Sequence, residues 1–157
     1  MSAALITASV LSLAGLLASF ALGYVATAPE EVLRHATFAI FVTLMTLLAH
    51  SMTMFYFIGK GRAIRDAVAE GGLTTDAAAR VAALRGPVFK FATLAIAATM
   101  LTAIVGGGVD TRVVPAGVHA FLALLAIGTG AVALRAIVHA LNESSRIVDE
   151  VNRDLGA

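Results

Sequence analysis

Histidine is the side chain in this sequence best suited to chemistry near neutral pH, and there are four, His35, His50, His119 and His139. The first three stand in stretches almost devoid of charge. A neutral imidazole offers one donor and one acceptor, and it ligates haem iron and other transition metals. His50 lies well inside its apolar stretch, on a helical face shared with His35, Thr46 and Thr53 and with Val42, Ala49 and Phe57. At 100° per residue those four polar groups fall within about 60° of one another. Imidazoles and hydroxyls are costly against acyl chains, so this face is expected to turn into a helix bundle. His35 and His119 each stand about one turn inside the same end of two parallel helices. Matched imidazoles on separate helices are what axial ligation of a b-type haem requires. His50, His35 and His119 are therefore the candidate cofactor ligands.

His50 and Met54, at i and i+4, share a face. Imidazole plus thioether suits copper, and also a His/Met haem site. Met52 points elsewhere, about 200° from His50. His139 lies beyond Arg135 and about 200° around its helix from His119, which disfavours two haems held by two histidines on each of two helices. Beside these readings stands a plainer one, in which each histidine hydrogen-bonds a neighbouring helix, as Ser and Thr do within membranes. The absence of Cys removes disulfides, iron–sulfur clusters and thiolate metal sites. There is no phosphate-binding glycine loop, no HExxH and no Ser-His-Asp spacing, so no enzymatic reaction is indicated.

The helices that must position these groups are written in the composition. The chain is 59% apolar and 13% charged, with a mean hydropathy of +0.92. A soluble domain carries about 25% charged residues, so lipid is the solvent that fits. A net charge of +1 without a basic patch argues against nucleic acid. Four stretches reach the roughly 20 residues that cross a bilayer: 3–26, 35–58, 87–105 and 115–134. Ala26-Thr27-Ala28 resembles a signal-peptidase site. The apolar run before it is too long and lacks a leading Lys or Arg, so it is read as a retained span. Thr27-Ala28-Pro29-Glu30 is expected to cap the second helix, Gly71-Gly72 to end its extension, Gly106-Gly107-Gly108 to end the third, and Pro115 to start the fourth.

Nine of the eleven Lys and Arg residues lie in or beside the 59–86 connection and in the 135–157 tail, and only Arg34 and Arg112 lie in the other connections. The positive-inside rule then places both termini in the cytoplasm, in a cell inner membrane. Phe55, Tyr56, Phe57, Phe89 and Phe91 gather where an inner aromatic belt belongs, and Tyr24 near the outer one. Ile137, Leu141, Ser144, Val148, Val151 and Leu155 form a seam that prolongs the fourth helix. The expected fold is an all-α, four-helix transmembrane bundle, N-in and C-in, forming one integral membrane domain over 1–157. Helices 2, 3 and 4 run on into a small cytoplasmic bundle. A small-residue stripe on helix 1, Ala8, Ser12, Gly15, Ser19 and Gly23, allows close approach of a neighbouring helix or of a second copy.

Three functional classes are compatible with this pattern. The first is a haem- or metal-bearing electron-transfer subunit, with quinone as a candidate partner. The second is an accessory subunit that docks a larger membrane complex or its own copies. The third is a small oligomeric transporter or channel. The third is weakened because no acidic residue lies within a span and no span is broken by a central proline.

Overall fold

The computed structural model describes residues 1–156, which form four helices: α1 (Ser2–Val25), α2 (Pro29–Glu70), α3 (Ala77–Asp110) and α4 (Ala116–Asp154). All four are long and apolar enough to cross a membrane. Short turns join α1 to α2 and α3 to α4 at one end of the bundle, here the loop end. At the other, the extended end, α2, α3 and α4 project past α1. Each helix packs on its two sequence neighbours around a square, with α1 also against α4. The diagonal pair α2 and α4 scarcely meet. The expected end of the fourth helix falls short of position 157, which lies outside the described residues; α4 stops at Asp154.

The polar face of α2 turns inward as expected. Val42, Thr46, Ala49, His50, Thr53 and Phe57 are all buried. Thr46 and Thr53 donate to the carbonyls of Val42 and Ala49 at 2.8 Å, which satisfies each hydroxyl within its own helix. The outward faces are apolar too, with Leu44, Leu48, Phe55, Ile104 and Phe121 more than half exposed. A water-soluble protein rarely shows so much contiguous apolar surface. The small-residue stripe of α1 packs within the chain. A Cβ on Gly15 would sit 2.9 Å from Val42 Cγ2, so α1 and α2 approach at van der Waals distance through that glycine.

Four sequence expectations need correction. First, α3 does not end at its glycine triplet but continues to Asp110. Gly106 and Gly108 face His119 and Val114, where a Cβ would lie 3.0 and 2.8 Å from those side chains. They are small for contact, not for termination. The helix ends instead with Arg112 in the left-handed region, φ 61°, while Val113 and Arg112 donate to the carbonyls of Gly108 and Val109. That is the bond pattern of a glycine C-cap, made here by an arginine. At the end of α2 the expected glycine does this work, with Gly72 at φ 63°. Second, the cap of α2 centres on Glu31 rather than Glu30. One Glu31 oxygen accepts from the Thr27 and Ala28 amides at 2.8 and 3.0 Å. Those bonds, the Thr27 amide first, hold its carboxyl below the usual range. Third, the inner aromatics are not one belt. Phe57 is fully buried in a core cluster with Leu5, Val88, Ile137 and Leu141, while Phe55 is 72% exposed. Fourth, the α4 seam passes through Ile147 rather than Val148, and Leu155 is partly exposed. A 3.6-residue period drifts off a strict heptad over three turns.

The extensions pack as a small three-helix unit. Ile64, Ala77, Val81, Ile147 and Val151 form its core. Arg80 on α3 donates to Glu150 on α4 at 2.6 Å and approaches Glu143 at 3.6 Å and Asp76 at 4.0 Å. The hydrogen bond from Arg80 is the main cause that holds the Glu150 carboxyl below its ordinary range. The pair Arg62 and Asp66 also forms, at 3.9 Å on the exposed surface of α2.

Candidate functional site

The turns fix the loop end in register, and that register decides which histidines meet. α2 starts at Pro29 and α4 at Ala116, so His35 and His119 each sit within two turns of a helix start. Their rings lie 6.2 Å apart between centroids and 77° apart in plane. They bridge the diagonal that the α2 and α4 backbones leave open. Nδ1 of each ring is buried and has no hydrogen-bond partner in the chain.

The two other helices close on this pair through glycine. A Cβ on Gly23 of α1 would lie 2.7 Å from Cε1 of His35, and one on Gly106 of α3 would lie 3.0 Å from Cε1 of His119. Each imidazole is thus seated on bare backbone, and all four helices contribute one residue to a single layer. The sequence places the two histidines at matched depth. It does not assign the glycines, because Gly23 reads there as part of a packing stripe and Gly106 as a helix stop.

His50 lies about four turns deeper along α2, too far to join the pair. It is 2% exposed, and its Nδ1 is also unpartnered. Met54 is half-buried one turn further on, and Met52 is 50% exposed. His139 is exposed on α4, as expected from its place beyond Arg135. Two buried polar residues have no place in the sequence reading, Ser9, whose hydroxyl donates to the Leu5 carbonyl at 2.9 Å, and Thr99. Thr99 of α3 is 2% exposed, and its hydroxyl has no partner. The signal for it was the spacing of Ala92, Ala95 and Thr99, which marks an inward small-residue face.

Two imidazoles on opposite sides of one metal ion, with metal–nitrogen bonds of about 2.0–2.1 Å, put their ring centres about 6.3 Å apart. The separation of His35 and His119 is close to that figure and is also that of an edge-to-face ring contact, Nδ1 of each ring has no partner in the chain, and Gly23 and Gly106 stand beside the rings. His35 and His119 are the residues that would hold an iron or other transition metal between two imidazoles. Among the described residues no group of three or more His, Asp or Glu side chains is placed to hold a metal ion. Comparison with protein-family models, with curated proteins and with solved structures gives no match.

Proposed function

We propose that the chain is a multi-pass inner-membrane protein, with both termini cytoplasmic, that carries electrons through a haem b or metal centre ligated by His35 and His119. The observation that supports it most is the pair of half-buried imidazoles, 6.2 Å apart on diagonal helices, with both Nδ1 atoms buried and unpartnered. With a haem bound, His35 and His119 would be its ligands and the group would supply one-electron exchange. The chain's part is to hold both rings at fixed depth, to seat them on Gly23 and Gly106, and to surround them with apolar helix. A centre near the loop end lies close to one face of the bilayer, where a quinone or a partner subunit has access. Copper on His50 and Met54 is the lesser proposal, because it would need ligands from other helices.

Visible absorption and metal analysis of the detergent-purified protein, expressed with haem precursor, test this reading. A Soret band or a stoichiometric transition metal is expected. It should vanish in His35→Ala and in His119→Ala and persist in His50→Ala. Intact, folded protein carrying neither haem nor metal overturns the proposal.

A second reading is an accessory subunit in which the histidines only pack. The close seating of each ring on a glycine favours it, since that contact is steric and needs no ligand. His35→Phe separates the two readings, because phenylalanine keeps the ring and removes ligation.

The orientation has its own test. The natural chain has no Cys, so a single introduced cysteine reports its side without background. Thr111→Cys is expected to react with an impermeant maleimide from outside whole cells, and Ala79→Cys only after the membrane is opened. The reverse pattern sinks the assignment of both termini to the cytoplasm.

A further inference from the structure

His50 and Thr99 are the two most enclosed polar side chains left without a partner, each 2% exposed. They stand on adjacent antiparallel helices. Phe57 with Val88 in one core cluster, and Ile64 with Val81 in the next, fix the register of α2 against α3. Carried toward the loop end, that register places Ala95 opposite His50 and Thr99 about one turn further along. Side chains lean toward the N-terminus of their own helix. His50 therefore leans toward the loop end and Thr99 toward the extended end, so the two side chains converge.

Most residues around that point are small. Contact of Gly106 with His119 fixes α3 against α4 and puts Ala126 and Gly130 at the levels of Thr99 and Ala95. Contact of Gly15 with Val42 puts Ser12 of α1 beside Thr46. The Ser12 and Thr46 hydroxyls donate to carbonyls in their own helices, at 2.8 Å each, which leaves their oxygens free to accept. Leu13 and Leu16 of α1 come within 3.6 and 3.8 Å of a Cβ on Gly130, and Ala95 and Ala126 leave the rest of the point lined by small side chains. Two orphaned groups and two spare acceptors are what buried water bridges, typically through about three hydrogen bonds.

We infer that His50 and Thr99 form an internal hydration site at mid-depth, in which water bridges the imidazole Nδ1 and the threonine hydroxyl. The site is independent of the histidine pair and stands whether or not that pair holds a metal. It explains why an imidazole and a hydroxyl lie in the least polar part of the bundle without touching a side-chain partner.

Water-selective NMR magnetisation transfer, on protein labelled at histidine with ¹⁵N and embedded in lipid nanodiscs, tests the site. The His50 signal is assigned by its loss in His50→Leu. Transfer from water to the His50 ring is expected in the natural chain, with at least a several-fold loss in Thr99→Val and recovery in Thr99→Ser. A dry His50 in the natural chain overturns the inference, and so does transfer that Thr99→Val leaves unchanged. Thermal melts give a second measure that does not depend on assignment. The double variant His50→Leu with Thr99→Val should melt no lower than the less stable single variant, because the second change removes an orphan left by the first. Strictly additive losses would contradict the bridge.

Discussion

The apolar part of the bundle and its polar extension are built from the same helices but have different cores. Between the helices of the apolar part most buried residues are small, Ala49, Ala92, Ala95, Ala126, Gly130 and Ala133 with hydroxyls among them, and the large ones, Leu5, Phe57 and Val88, gather toward the extended end. In the extension the buried residues include Ile64, Val81, Ile147 and Val151. Lipid around the one part and water around the other would produce this difference. Water drives large aliphatic side chains together, at about 25 cal/mol per Å² buried. Lipid gives no such drive, because its tails are as apolar as leucine, and helices there associate by close backbone approach and hydrogen bonding. The polar groups divide in the same way. Arg80, Glu143 and Glu150 pair at the surface of the extension, while in the apolar part His50 and Thr99 are buried and His35 and His119 half-buried, each with one enclosed polar atom left without a partner. Unpaired groups are tolerated in water and costly in a bundle, so these four mark where function is to be sought.

Substitutions at the two cores and at the helix ends probe this contrast. The largest effect is expected at Phe57, fully buried where the two parts join. Phe57→Ala should destabilise by about 3–5 kcal/mol, read by thermal or denaturant unfolding in detergent. An effect below about 1 kcal/mol would show that this cluster is not a shared core. Next comes Gly23→Leu, which drives a side chain into the His35 ring. Overpacking of this kind costs about 1–3 kcal/mol, and any haem or metal signal should fall with it. Ala21→Leu, on the exposed face of the same helix, is the control and should change little. Arg112→Gly is expected to stabilise by about 1 kcal/mol, because it relieves a left-handed backbone that L-residues disfavour. An unchanged or lower melting point there would mean that the Arg112 side chain makes a stabilising contact outside this chain.

The smallest effect is expected from the Arg80 cluster, whose members are half exposed and screened by salt. Glu150 is held below its ordinary range by the bond from Arg80, so the folded chain keeps that carboxylate charged to lower pH than the unfolded chain does. Its contribution is complete above the ordinary carboxylate range and is lost as pH falls through the lowered value. The extension should therefore loosen in acid, and Arg80→Ala should flatten that dependence, as followed by amide exchange at Val81 and Ile147. An acid response identical in Arg80→Ala would assign it to another carboxylate.

Much of this was legible in the sequence, for identifiable reasons. Spans are legible because hydropathy over 20 residues leaves little choice. The inward turn of His50, Thr46 and Thr53 is legible because helical period and the cost of polar groups in lipid agree. The pairing of His35 with His119 follows from their places within two turns of two helix starts, which short turns hold near one level. Glycine is where the reading failed. Gly106 and Gly108 look like a stop signal along the chain and become contact points only once His119 and Val114 stand beside them. Thr99 was missed because its inward face, with Ala92 and Ala95, is written in small residues, and hydropathy does not set one hydroxyl apart from the alanines around it. The bond from Arg80 to Glu150 spans 70 positions, and no local spacing announces it.

Pro87 lies inside α3, one residue after Gly86, where the apolar stretch gives way to the extension. Proline has no amide hydrogen, so the carbonyl one turn before it, at Ala83, loses its helical donor and the ladder has a missing rung. Helices transmit strain along that ladder. The missing rung makes this the place where α3 bends most easily, at the joint between the apolar stretch and the extension.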